Sequence, residues 1–120
     1  MILSKILVSL IAALHIYILV LEMFLWTKPL GLKVFRQSLE RAETQRVLAA
    51  NQGLYNGFLS AGLIWGLIHP DILTGFQIQF FFLGCILIAG IYGGLTFSKR
   101  IMYVQAAPAV IAAVSLWVGI

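Results

Sequence analysis

The sequence is short of charge. Only 10% of its 120 residues are Asp, Glu, Lys or Arg, where a soluble domain carries about 25%. With 62% of residues hydrophobic, so short a chain cannot hide its apolar surface in a water-soluble core. Cysteine is nearly absent: the single Cys85 excludes an internal disulfide and a cysteine-rich metal site. No glycine-rich phosphate loop and no nucleophile motif occurs. Acidic residues number four, against eight basic ones. The resulting +4 is not a nucleic-acid signal, because the basic residues sit in short connections, where membrane topology explains them.

What is present is a series of long apolar runs. They predict an all-α integral membrane protein, a four-helix transmembrane bundle forming one domain over 1–120, with spans near 2–26, 47–68, 72–96 and 101–120. The first run follows Lys5 like a secretory signal, but no A-x-A site follows and the run is long enough to span, so it reads as a retained helix. Trp26 is expected to anchor its end at the interface. Pro29 and Gly31 are expected to stop the helix and loosen the turn. The connection 27–46 is the one hydrophilic stretch. Ser38 is a candidate N-cap there, with Glu40 in the first turn of a helix that starts near Ser38 and runs along the membrane surface or rises into the second span, a solvated linker rather than a partner-binding element. Pro70 starts the third span, and Pro108 is expected to kink the fourth. Gly53/Gly57, Gly62/Gly66 and Gly90/Gly94 have the small-xxx-small spacing of helix packing, either within the chain or in a homodimer.

Basic residues set the orientation. Lys28, Lys33, Arg36, Arg41, Arg46, Lys99 and Arg100 lie in the first and third connections, and only Lys5 lies on the other side. That bias puts both connections in the cytoplasm and both termini outside.

Depths can then be compared at about 1.5 Å per residue. Glu22, the one acidic residue inside an apolar run, falls roughly 12 Å to the cytoplasmic side of the bilayer centre. Asn51, Gln52, Tyr92 and Gln105 fall in the same layer, roughly 9–12 Å out. A deeper layer holds His15 and Asn56, with Tyr17, Tyr55 and Cys85 near it. His15 and Glu22 are two turns apart on one helix face, and Gln52, Asn56 and Ser60 form a stripe on another. Gln77 and Gln79 lie towards the outer side and read as structural. An ionisable group in a membrane span marks a functional site by default.

Glu22, His15, Asn51, Gln52, Asn56, Tyr92 and Gln105 are therefore the candidate ligand- or proton-binding residues. A membrane carboxylate can bind a proton and a cationic ligand alternately, which suggests small-molecule binding or proton-coupled transport. The alternatives are an intramembrane enzyme acting on a lipid-like substrate, with Glu22 and His15 as acid and base, or a structural or accessory protein. A further alternative is metal or haem ligation through His15, although one His and one carboxylate are fewer than the three protein ligands a zinc site normally needs; the cofactor is left open. The expected partners are the lipid bilayer and a small molecule.

Three segments carry a resemblance: His15–Trp26, Val47–Gly57 and Gln79–Gly93. Through them the whole chain resembles a family of small bacterial membrane proteins, domain-of-unknown-function family 1304. The resemblance implies a bacterial inner-membrane location and supplies no activity. In outline the chain is also similar to the small multidrug resistance transporters, which have four helices and one embedded Glu in the first. It departs from them in its strong charge bias, in the place of Glu22 near a helix end, and in the polar stripe of the second helix. That similarity is one of architecture only.

Overall fold

Runs this apolar must satisfy their backbone N–H and C=O groups within the segment, and the helix does so. The computed structural model describes residues 1–120. Its elements are α1 (Ile2–Met23), α2 (Pro29–Phe35), α3 (Leu39–Thr44), α4 (Arg46–Ile68), α5 (Ile72–Thr96) and α6 (Lys99–Ile101), then a π-helical segment at Met102–Ala106, and α7 (Ala107–Val118). No strand is present. Three stretches are long and apolar enough to cross a membrane: Ile2–Met23, Ile72–Thr96 and Lys99–Val118. Their most apolar windows are only 33%, 17% and 28% buried. So large an outward-facing apolar surface suits lipid rather than water. α4 has 23 residues and matches them in length. It falls short in apolarity, because Asn51, Gln52, Asn56 and Ser60 interrupt it.

The chain divides into two compact units, Met1–Ala12 with Ala61–Ile120, and Ala13–Ser60.

In the first unit, glycines let helices approach closely. A Cβ on Gly90 would lie 2.7 Å from the Ala106 amide nitrogen, and one on Gly94 would lie 2.6 Å from the Met102 Cβ. Gly62 lies under the ring of Phe82, and Gly66 packs against Gly75 and Gln79. Buried Gln79 donates through Nε2 to the Gly66 carbonyl at 3.2 Å, a structural role. The fourth span begins earlier than expected, at Lys99, and its irregularity precedes Pro108. Pro108 sits in the first turn of α7. It has no amide, and its ring crowds the carbonyl four residues back, so the preceding turn widens into a π-helix over Met102–Ala106. Gly119, in the left-handed conformation at φ 84°, ends α7. The chain ends of this unit meet: the Leu3 amide donates to the Ile120 carbonyl at 2.8 Å.

The second unit overturns two expectations. Trp26 is not an outward interfacial anchor. It is 9% exposed, and its indole Nε1 donates to the Ala42 carbonyl at 2.7 Å. Trp26 centres a small apolar cluster with Ala42 and Ala49, against which Leu32 and Phe35 pack, the Phe35 ring centroid lying 4.9 Å from that of Trp26. The helix expected from Ser38 is present as α3, and a further helix, α2, precedes it. α1 stops at Met23. Pro29 then starts α2, where its missing amide costs nothing. Gly31 is buried rather than loose: a Cβ there would overlap the Leu25 carbonyl oxygen and lie 2.8 Å from its carbon. α2 ends at Arg36 in the left-handed conformation, φ 53°, with the Gln37 amide bonded back to the Leu32 carbonyl. Ser38 caps α3 as expected, its Oγ accepting from the Arg41 amide at 3.2 Å. The sequence pattern of 27–46 is too short and too mixed to reveal this folding, because the Trp26 contact that organises it lies 16 residues from its partner Ala42.

Candidate functional site

Glu22 is the penultimate residue of α1 and is 6% exposed. α4 passes beside it. A Cβ on Gly53 would lie 3.1 Å from the Glu22 Cβ and 3.2 Å from the Leu19 carbonyl oxygen, and one on Gly57 would meet the Leu19 side chain. As α4 advances from Gly53 to Gly57, its neighbours on α1 therefore run backwards, from Glu22 to Leu19. The two helices are antiparallel, and the glycine pair brings their backbones together. One turn along, the Asn56 Nδ2 donates to Glu22 Oε1 at 2.7 Å. This is a short, charge-assisted length when the carboxylate is ionised.

The pairing crosses the two depth layers read from Cα positions. Helical side chains lean towards the N-terminus of their own helix. On antiparallel helices Glu22 leans towards the middle of the chain's first span, and Asn56 leans towards the start of α4. They meet although their Cα atoms differ in depth.

The remaining candidates are placed as follows. His15 lies on α1 and is fully buried. Asn51 is exposed, and its Nδ2 donates to the Val47 carbonyl of its own helix at 3.2 Å. Such back-bonding satisfies the amide locally. Gln52 is exposed, while Asn56 is half-buried and Ser60 fully so. The stripe on α4 thus runs from the outside inward. Tyr17 is 45% exposed. In the other unit, Tyr92 is 69% exposed on α5, and Gln105 is half-buried within the π-helical segment. The structure brings together Glu22 and Asn56, and leaves Asn51, Gln52 and Tyr92 facing outward. Gly53 was legible in sequence only as half of a packing pair. Its second role, making room for the carboxylate, needs the antiparallel register.

Chemically the pair is a carboxylate whose partner is a neutral amide. The amide orients one oxygen and leaves the charge of the ionised form uncompensated, so the site has capacity for a proton or a cation.

The model of the family described as protein of unknown function (DUF1304) matches residues 9–117. The chain is similar to an uncharacterised protein, YpaA, of Lactococcus lactis subsp. lactis (strain IL1403). The two are 34% identical over 117 residues, which cover 95% of this chain and 96% of that one. No solved structure matches.

Proposed function

The chain belongs to the DUF1304 family, and we propose that it is a four-span protein of the bacterial inner membrane whose Glu22–Asn56 site exchanges a proton for a small cationic molecule. The observation that carries this reading is a carboxylate 6% exposed in an apolar helix, held by an amide and by no cation at that bond. A buried charge left without a counter-charge is expensive in a membrane and is kept where it does work.

The number of crossings is supported by parity. Three crossings would leave the chain ends on opposite faces of the bilayer. The Leu3–Ile120 hydrogen bond supports an even count, with both ends on one face and α4 as the fourth span. At about 1.5 Å per residue, its 23 residues reach about 34 Å, enough for a hydrocarbon core of about 30 Å. The basic connections 27–46 and 97–100 then face the cytoplasm, and both termini face outward.

The experiment is a proton-release titration. Purified protein in lipid nanodiscs, in weak buffer, is titrated with the lipophilic cation tetraphenylphosphonium, and binding and pH are followed together. Exchange predicts about one proton released per cation bound, with both signals lost in Glu22→Gln. Binding that is unchanged in Glu22→Gln, or absent from the wild type, rejects the reading.

A further inference from the structure

The folded connection between α1 and α4 has a second character that the Glu22 site does not use. Five cations lie in it: Lys28 before α2, Lys33 within α2, Arg36 at its left-handed end, Arg41 in α3 and Arg46 at the start of α4. All five are exposed. Only Glu40 and Glu43 oppose them. Large apolar side chains are exposed among and beside them: Phe24 at 66%, Leu30 at 45%, Leu39 at 49%, Val47 at 73% and Leu48 at 62%. A water-facing linker has no use for that apolar exposure, whereas a surface lying in the headgroup layer uses both kinds of residue. The connection is also held in a defined shape rather than left free, by the Trp26 indole on the Ala42 carbonyl and by Gly31 against Leu25. Its cations are thus presented from fixed backbone positions. Arg36 even occupies a left-handed position that glycine normally takes.

We propose that this folded connection is a docking surface for anionic phospholipid headgroups. The exposed lysines and arginines take the phosphodiesters, and Leu30 and Leu39 enter the acyl boundary. The occupant follows from charge complementarity together with place. α1 is long and apolar enough to span, so the segment that follows its end lies at the membrane face, where an anionic lipid is the ligand at high local concentration.

The test uses the full chain, delipidated in neutral detergent. Its thermal midpoint is followed while short-chain phosphatidylglycerol, short-chain phosphatidylcholine or inorganic phosphate is titrated in. The wild type should bind phosphatidylglycerol more tightly than phosphatidylcholine. The variant Lys33→Gln/Arg36→Gln/Arg41→Gln should lose about a hundredfold of that preference, three charges at about fivefold each. Because that variant could be too unstable to assay, the opposite change is made as well. Glu40→Gln/Glu43→Gln removes the opposing carboxylates and should strengthen the preference by about tenfold or more, and high salt should weaken it. Equal affinity for the two lipids would overturn the proposal. So would a preference that the carboxylate variant leaves unchanged, or stabilisation by inorganic phosphate equal to that by phosphatidylglycerol, which would mark a free-anion site instead.

Discussion

The Glu22–Asn56 hydrogen bond can be weighed by a double-mutant cycle. Asn56→Leu is close in volume, and the position is half-buried, so packing changes little. What is lost is the 2.7 Å bond to a carboxylate that is 6% exposed. A hydrogen bond to a charged group contributes about 1.5–3 kcal/mol. Stranding a buried charge by removing its partner costs about 3 kcal/mol or more. The single change should therefore destabilise by about 3 kcal/mol. In a Glu22→Gln background the same change removes only an amide–amide bond, about 1 kcal/mol. The coupling is then about 2 kcal/mol, well above the few tenths expected of independent sites. Glu22→Gln alone keeps an acceptor oxygen for Asn56 and should leave the fold intact. The assay is reversible denaturant unfolding of the purified protein in micelles, at alkaline pH where Glu22 is ionised, followed by tryptophan fluorescence. Additivity would refute the reasoning. So would a Glu22→Gln variant that is less stable than Asn56→Leu, since it would show that the charge holds the helices together.

Two helical glycines should respond in opposite directions. Alanine gains about 1 kcal/mol over glycine in a helix. At Gly84 a Cβ meets nothing within 4 Å, so Gly84→Ala should be stabilising by up to that amount. At Gly31 the new methyl overlaps a backbone carbonyl of Leu25, which cannot rotate away. Gly31→Ala should cost about 2 kcal/mol net or more and free the Trp26 cluster, seen as a red shift in fluorescence. The turn before α5 should carry a pH dependence. Hydrogen bonds from the Thr74 hydroxyl and amide, with His69 nearby, hold the Asp71 carboxyl below its ordinary value of 3.8. A lowered value in the folded state stabilises at pH above the ordinary value, and that contribution fades as pH falls through the folded one. Asp71→Asn keeps a good N-cap and should flatten the stability profile on the acid side, measured by thermal midpoints across pH.

The helices were legible because their signal is local. An apolar run bounded by His69-Pro70-Asp71 allows one reading, and α5 begins at Ile72 and ends at Thr96 where that run does. Ser38 was legible for the same reason, since a cap needs only its own first turn. Trp26 was not. Its position at the end of an apolar run suits an interfacial anchor equally well, and only the distant Ala42 carbonyl decides against that. The π-helical segment was half legible: Pro108 signals irregularity, but not where the strain is relieved. Of the site, Glu22 stood out by composition alone. Its partner did not, because Cα depth ignores the lean of side chains. Depth alone pairs Glu22 with Gln52, whereas the lean of both side chains favours Asn56, one turn further along the same stripe of α4.

The place of Glu22 argues that its charge is not there for packing. Next to the last residue of α1, it lies at the negative end of the helix dipole, where an anion is disfavoured by about 0.3–1 kcal/mol. It is buried, which penalises the ionised form further. A glutamine at the same position could accept the same hydrogen bond from Asn56 and avoid both penalties. Gly53 adds to the case, since the close approach it permits shuts Glu22 away from water and would serve a neutral side chain equally well. Three local features each oppose an ionised carboxylate, and none requires one. Those costs are the ones that the proposed exchange of a proton for a cation at Glu22 accounts for.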